Sequence, residues 1–508
     1  AGPLSLAPVR YENDELFGTP EPVRVKNGVH DHLSLRTSGF EAAKRGELVE
    51  AVSLLQQYLA WAELPDPEAF NCQGQMLAHL GLTNQALLTF EQAIWASERN
   101  GDRKFKALSH QGLGEVQMQG GDFEKAAQNF RIATEIEPLD VKALHNLGKA
   151  LSEVNKVEEA LDALSQAATL DPQNPEILVD KAKALSDSGA SAEAVQAYLE
   201  AQRAGAEADV EFFLHLGASA QRAKMVELAE DALTKVLDFE PGHVMARRLL
   251  KSLNPLASQL QITPEEDAEY SRRLFDDYAE DWEREMVEEL GYQAPEELLA
   301  LTLAVKKPSK KIAFERVLDL GCGSGFGGEE LRPYSRTLIG CDISSEMVKA
   351  AEEREQIMNC KWLGLTYDSV ELSDLVLFLQ AEKDKTEAVD LVIAMDVASY
   401  LSDLKPFFQA AAQVLTQGSG LLAFTTEQPS EAQGSEGWLL KPSLRYGHSL
   451  EYITQLASEA GLSVVARQPT TLFTTESGDP IEGFHWVLRA EGPRGAEVLR
   501  ALRGAEGR

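Results

Sequence analysis

The stretch Val317-Leu318-Asp319-Leu320-Gly321-Cys322-Gly323-Ser324-Gly325 joins an apolar run, an acid and three glycines at alternate positions. Glycines without Cβ atoms let backbone approach a ligand closely. An acid just before such a turn opposes a phosphate and suits a cation. A second acid, Asp342, ends the run Leu338–Cys341 and stands 21 positions after Gly321. At about that spacing, an acid at the tip of a second strand hydrogen-bonds ribose hydroxyls in nucleotide-binding sheets. Together the two segments select a nucleoside with a cationic tail.

S-adenosylmethionine has that form, with its ribose, sulfonium and ammonium. A dinucleotide would need a small residue at the sixth position of the glycine motif to seat a pyrophosphate, and that position is Phe326. An ordinary strand-turn-helix with no ligand is the remaining alternative.

Such residues must be held by a sheet. From Arg316 onward, short β-rich runs alternate with helical segments. Strands are expected at 316–320, 338–341, 361–365, 389–395, 421–425, 463–467 and 484–489. Helices are expected over 345–355, 404–415 and 450–460, with a short one closing at 331–336. This alternation implies a parallel sheet covered on both faces, with ligands at the carboxyl ends of its strands.

Val317–Gly325 and Gly340–Ser344 resemble the first two motifs of class I methyltransferases. Val389–Val397, with Tyr400-Leu401 behind it, resembles their fourth-strand motif. Gln417–Leu421 resembles their turn before the fifth strand, without its Pro and one Gly. The segments Leu274–Trp282 and Arg445–Ser449 resemble those of methyltransferases fused to tetratricopeptide repeats. The likeness spans roughly residues 260–490. It implies a Rossmann-like fold with a seven-stranded sheet and S-adenosylmethionine as cofactor. The turn Gly321, Cys322, Gly323 and Gly325 would hold the methionine and ribose part. Asp319 would face the ammonium, Asp342 the ribose diol, and Ile343 the adenine. Asp368 and Glu371 are candidates for the adenine edge, against the alternative of solvated loop acids. Asp396 joins the site through the fourth-strand motif.

Phe275, Tyr278 and Trp282 form an aromatic stripe at helical spacing. It either packs on the sheet or lids the cofactor, and Tyr278 counts as a cofactor contact on the second reading. His448 is a candidate base on the acceptor side and Tyr446 a candidate wall of the acceptor pocket; the plainer reading of His448 is a helix-start residue.

The first half repeats. Gly114 and Gly148 are 34 apart, as are Ala126 and Ala160, Phe130 and Leu164, Ala133 and Ala167, and Pro138 and Pro172. The pattern continues forward through Ala182, Ala194, Tyr198 and Ala201 to Gly217, Ala229, Leu233 and Val236. It runs back through Gly74, Ala86, Phe90 and Ala93 to Gly39, Ala51 and Leu55. About six repeats fall between His32 and His243. Each reads as two amphipathic helices that bury their apolar faces only by stacking on neighbours. The repeat starting at Pro67 is followed at an interval of 40, so its second helix or its loop is longer. The pattern resembles the tetratricopeptide repeat, which implies a groove for a protein or peptide partner, with a purely structural or assembly role as the alternative.

The organisation read from sequence is therefore an unassigned extension (1–31), an all-α solenoid (32–243), connecting helices (244–310), an α/β domain (311–490) and a tail (491–508). The basic stretch Lys306–Lys311, with Pro308, reads as a hinge. A unit starting near Pro255 is expected to fold alone.

Net charge is −33 over 508 residues. So acidic a surface repels phosphate backbones, so nucleic acid is not an expected partner. Four cysteines, Cys72, Cys322, Cys341 and Cys360, show no paired or zinc-like spacing. This suits a reducing compartment, the cytoplasm or, after processing, an organelle, and no metal site. No apolar run approaches the ~20 residues needed to cross a membrane.

The functional expectation is methyl transfer to an acceptor recruited by the repeats, a protein being favoured. The alternatives are a small-molecule methyltransferase whose repeats only assemble it, and a scaffold that keeps the fold without turnover.

Overall fold

The computed structural model describes residues 32–254, 262–357, 366–385, 387–429, 437–475 and 480–492. Contacts divide the chain into two compact units, Ala1–Ala229 and Glu230–Arg508.

The first unit is all-helical. It holds α1 (His32–Arg45), α2 (Leu48–Trp61), α3 (Pro67–His79), α4 (Thr83–Asn100), α5 (Arg103–Gln119), α6 (Phe123–Ile136), α7 (Val141–Glu153), α8 (Val157–Leu170), α9 (Pro175–Asp187), α10 (Ser191–Arg203) and α11 (Val210–Arg222). The next helix, α12 (Val226–Phe239), begins at its end. Asp or Asn side chains cap several of the odd helices: Asp66, Asp102, Asp140, Asn174 and Asp209 each accept a backbone N–H three residues on. Each helix packs on the next, and each odd helix also touches the next odd one, so α1, α3, α5, α7, α9 and α11 line one continuous face.

The 34-residue period has a steric origin. A Cβ built on Gly148 would lie 2.5 Å from Leu164, and one on Gly114 would lie 2.9 Å from Phe130. The small residue on an odd helix makes room for the large one on the helix that follows. The 40-residue interval reflects two longer helices: α4 has 18 residues where α6 has 14, and α5 has 17 where α7 has 13, while the loop between α4 and α5, which turns on Gly101 in the left-handed region, is shorter.

The second unit takes in most of α12 and then holds α13 (Val244–Leu253), α14 (Pro264–Tyr278), a π-helical turn (Arg284–Glu289) and α15 (Ala294–Lys306). Then come β1 (Phe314–Leu320), α16 (Phe326–Leu331), β2 (Ser335–Asp342), α17 (Ser345–Ile357), β3 (Ser369–Leu372), α18 (Leu375–Asp384), β4 (Leu391–Ala394), α19 (Lys405–Val414) and β5 (Leu421–Glu427). The hairpin β6 (Trp438–Leu440) and β7 (Tyr446–His448), then α20 (Leu450–Ala460), β8 (Leu462–Thr474) and β9 (Pro480–Ala490), complete it.

The strands form one nine-stranded sheet in the order β3-β2-β1-β4-β5-β7-β6, with β9 antiparallel to β5 and β8 antiparallel to β9. From β3 to β5 all neighbours are parallel. Seven strands were expected. The two extra ones are the three-residue hairpin strands, too short to show a period. The expected strand at 361–365 lies outside the described residues, and the strand beside β2 is Ser369–Leu372. The short helix ends at Leu331, a 3-10 turn covers Arg332–Tyr334, and β2 already starts at Ser335.

The central residues of β1 face opposite layers. Val317 packs with Leu298 and Leu299 of α15, in a layer that Phe314 at the strand's first position also joins. Leu318 and Leu320 pack with Phe378, Phe407 and Phe408 of α18 and α19. Sequence order reverses between β1 and β4, and that switch point opens the sheet for a ligand. Among the described residues no helix is long and apolar enough to cross a membrane.

Candidate active site

At the carboxyl end of β1 the chain turns sharply. Gly321 has φ 65°, and a Cβ there would lie 2.4 Å from Cγ2 of Val397, so only glycine fits without displacement. The N–H groups of Gly321 and Cys322 donate to the carbonyl of Cys341 at 2.8 and 3.0 Å, which ties the turn to β2.

Asp342 completes this tie. One carboxylate oxygen accepts the N–H of Gly323 at 2.9 Å and the other that of Ser344 at 2.9 Å. The side chain is buried, and burial pushes its pKa up against the pull of those N–H groups. One carboxylate thus holds both ligand-facing turns at a fixed separation, and each oxygen keeps a lone pair for a further donor.

A cleft of about 570 Å³ opens over these turns. Gly321, Gly323, Asp342 and Ile343 line its floor. Ser373 and Asp374 after β3, with Leu375, Val376 and Leu377 at the start of α18, line one side, and Met395, Asp396, Val397 and Tyr400 the other. The roof is one face of α14, with Pro264, Ala268, Ser271 and Phe275 at helical spacing, followed by Trp282.

Two acids pin this roof. Asp276 accepts the Ser344 hydroxyl at 2.7 Å, beside the start of α17. Glu283 accepts from Ser324 of the glycine turn and from Arg354.

Asp319 lies under the turn with no exposed surface. The Tyr367 hydroxyl donates to one oxygen at 2.7 Å. The other has no partner among the described residues. Burial, aided by the nearby charge of Asp342, pushes its pKa up to about 7 despite Tyr367. Cys322 is buried beside it, and Gly325 faces Tyr367 and Ala351.

Asp396 lines the cleft with φ 58°, an uncommon backbone for a residue with a Cβ. Arg445 grips both of its oxygens. The same guanidinium bonds the Tyr400 hydroxyl at 2.6 Å and pairs with Glu427, which also takes Lys441 at 2.8 Å.

Of the residues singled out from sequence, Gly321, Gly323, Asp342, Ile343 and Asp396 line one cleft, and Asp319, Cys322 and Gly325 support its floor. Others do not reach it. Asp368 precedes β3, pairs with Arg332 at 2.9 Å and accepts the Leu338 N–H at 2.7 Å. Glu371 lies within β3, beside Lys385 at 3.3 Å. Tyr278 donates to Glu285 and packs with Trp282 and Met286. It is the last residue of α14, and Glu285 and Met286 of the π-helical turn take up its side chain away from the cleft.

His448 is sealed behind the cleft wall, with Nε2 at 3.0 and 3.2 Å from the carbonyls of Leu401 and Ser402. Burial pushes its pKa down to about 4, so it stands neutral with an N–H committed to backbone. Tyr446 is equally buried and donates to Asp267 at 2.9 Å. Neither is among the residues that line the cleft, so the geometry gives no support to a role as acceptor-side base or wall.

Two cleft features escaped sequence reading. Ser373 and Asp374 follow β3, and Asp374 caps α18 through the N–H groups of Val376 and Leu377. An Asp before the apolar run Leu375–Leu379 was the available signal. Asp267 of α14 lines the cleft while bonded to Arg248, Tyr446 and the Ser402 N–H. No local pattern marks it.

Residues 318–421 match the family model of the methyltransferase domain, and residues 112–175 match that of the tetratricopeptide repeat. The mitochondrial ubiquinone biosynthesis O-methyltransferase of Bos taurus is 31% identical over 128 residues, covering 25% of this chain and 33% of the relative. Malonyl-[acyl-carrier protein] O-methyltransferase of Legionella pneumophila is 30% identical over 187 residues, covering 36% of this chain and 57% of the relative. Magnesium protoporphyrin IX methyltransferase of Synechocystis PCC 6803, solved with bound S-adenosylmethionine, superposes with a TM-score of 0.33 at 17% identity, over 44% of this chain and 95% of that one.

The chain spans between a third and just over half of the length of these two curated relatives. It carries a tetratricopeptide repeat array and a class I methyltransferase domain, the class whose cofactor is S-adenosylmethionine.

Proposed function

We propose that this chain is an S-adenosylmethionine-dependent methyltransferase whose repeats recruit a protein acceptor. The observation that carries the first part is Asp342, a buried carboxylate that spans the two turns flooring the cleft. The surroundings fit the cofactor. The floor lacks side chains at Gly321 and Gly323, and Asp319 keeps one buried oxygen unpartnered. Phosphate-binding cations are absent from the lining among the described residues, where Arg272 is the one basic side chain and already pairs with Glu269.

When bound, the cofactor supplies a methyl group on a cationic sulfur, open to direct displacement. The residues do the rest. Asp342 accepts the ribose hydroxyls on its free lone pairs. Asp319 sets a negative charge under the methionine end. Ser373 and Asp374 offer polar groups to the adenine edge, with Ile343 against its face. Phe275 and Trp282 close the roof and exclude water. Alignment of the acceptor behind the methyl is then the main catalytic term. A base is required only for an acceptor that arrives protonated.

A small-molecule acceptor is the second reading. It is favoured by the roofed, largely apolar end of the cleft at Leu401, Pro406 and Phe407, and by the O-methyltransferase names of the relatives. The deciding experiment uses S-adenosylmethionine labelled in its methyl group, the full chain and a cell lysate, with products resolved by size. Label in protein bands supports recruitment of a protein. Label confined to small molecules overturns it, and no transfer in repeated lysates overturns turnover itself.

A further inference from the structure

We propose that the repeat array binds a basic, leucine-bearing polypeptide segment in a crevice between α6 and α8, on the side away from the face lined by the odd helices. The proposal rests on the recruitment reading above and names its partner.

Three observations meet there. The first is a crevice of about 460 Å³, floored by Leu144, Leu147 and Leu151 of α7, with Ala163 of α8. The leucines recur at helical spacing and form an apolar seam at the bottom of the crevice, where they are 2–7% exposed.

The second is charge. Glu135 of α6 and Glu158, Glu159 and Asp162 of α8 stand along the rim, all exposed. Arg131 is the rim's one basic residue and is already paired with Glu159. Among the described residues no cation pairs with Glu135, Glu158 or Asp162; Asp162 takes only the Gln166 amide, at 3.0 Å. The odd-helix face is different. There Lys142 pairs with Glu115 at 2.6 Å, Lys183 with Glu211 at 2.5 Å, and His145 with Asp180 at 2.7 Å. These pairs bridge neighbouring odd helices, whereas Glu135, Glu158 and Asp162 at the crevice have no cation partner among the described residues.

The third is Leu139, which is 76% exposed beside Pro138 at the end of the crevice. A large apolar side chain held out at the mouth of an apolar seam extends the surface that a partner would cover. An apolar floor with an acidic rim fits a segment whose leucines enter the seam and whose lysines or arginines meet the three unpaired acids.

The test uses the full chain and a short fluorescein-labelled peptide with leucines at helical spacing and lysines between them, read by anisotropy at physiological ionic strength. A second peptide carries glutamates in place of the lysines. Because the chain is −33 overall, general attraction must be separated from the crevice. The variant Glu135→Lys/Glu158→Lys/Asp162→Lys is therefore matched with Glu153→Lys/Glu176→Lys/Glu193→Lys, an equal charge change at exposed sites elsewhere on the array.

The expected result is saturable binding of the lysine peptide, weakened about tenfold or more by the crevice variant and little by the control. The glutamate peptide should bind only the crevice variant. Equal weakening by both variants, or none by either, overturns the proposal. Cofactor binding measured in the same samples should not change. A negative peptide result with intact cofactor binding thus removes the crevice and leaves the methyltransferase reading standing.

Discussion

The guanidinium of Arg248 and the carboxylate of Asp267 form an ion pair almost wholly shut off from solvent, the side chains being 0% and 2% exposed. Arg248 belongs to α13 and Asp267 to α14, the roof of the cleft. The arginine also donates to the Leu444 carbonyl at 2.8 Å and lies 3.9 Å over the Tyr270 ring, while Tyr446 donates to Asp267. A helix, the roof and the β6–β7 hairpin thus meet on one buried charge pair.

Breaking such a pair from one side leaves an uncompensated buried charge, a loss of about 3–5 kcal/mol. Arg248→Met in the full chain should lower the stability of the methyltransferase unit by that order and weaken cofactor binding through the roof. Adding Asp267→Asn should recover part of both. Chemical denaturation and calorimetric titration would read this, and a double variant no better than the single would show that charge is not the cause.

Asp342→Ala removes the acceptor for two turn N–H groups as well as the proposed ribose partner. Hydrogen bonds to a charged group are worth about 1.5–3 kcal/mol, so affinity for S-adenosylmethionine should fall roughly ten- to a hundredfold. An unchanged dissociation constant would remove Asp342 from the ribose site.

The glycine turn and Asp342 were readable because strand, turn and helix are contiguous, and their chemistry lies within a few residues of each turn. The repeats were readable because Gly114 with Phe130 and Gly148 with Leu164 obey one steric rule at one period. The failures share a cause. His448 resembles a base until the carbonyls of Leu401 and Ser402, more than forty positions away, claim its Nε2. Asp267 resembles any first-turn helix acid until Tyr446, 179 positions on, arrives beside it. Tyr278 and Phe275 share a stripe, but packing against Glu285 and Trp282 decides which one meets the cleft.

Asp319 gives the cofactor site a pH dependence. An unfolded aspartate titrates near pH ~4. In the folded chain burial pushes this one up to about 7. A raised carboxyl pKa means that the proton stabilises the fold: that contribution is full below the unfolded value and is lost as pH rises through about 7. A cationic ligand favours the ionised form, so affinity for S-adenosylmethionine should climb from about pH 6 to about 8, with proton release on binding. Asp319→Asn should flatten the profile. Titration in buffers of different ionisation enthalpy measures the released proton, and its absence in the unaltered protein would disprove the assignment.

The array can be weakened without touching the chemistry. Gly148→Val puts a branched side chain where even a Cβ meets Leu164 at 2.5 Å. Overpacking of this kind costs about 1–3 kcal/mol. Helical signal should be lost at lower denaturant, while affinity for S-adenosylmethionine holds. A parallel fall in affinity would mean that the repeats support the cofactor site directly.

The last prediction concerns where the methyltransferase unit begins. Read as sequence, the end of the repeat period favours a start near Pro255. That cut removes α13, and with it both Arg248 and the buried Ala246, Leu249 and Leu250. Asp267 would then sit on the roof helix with Tyr446 and the Ser402 N–H but no cation. Its pKa, already raised by burial, would rise further, and the roof would lose its anchor to the hairpin. A chain starting at Gly242 keeps α13 whole. It should bind S-adenosylmethionine with nearly the affinity of the full chain, whereas the chain starting at Pro255 should bind much more weakly or fail to stay soluble. Placing Asp267→Asn in the shorter chain separates two causes. Partial recovery assigns the loss to the unpaired charge, and no recovery assigns it to the missing apolar contacts of α13. If both starting points bind the cofactor equally well, Arg248 does not hold the roof, and the first prediction above falls with this one.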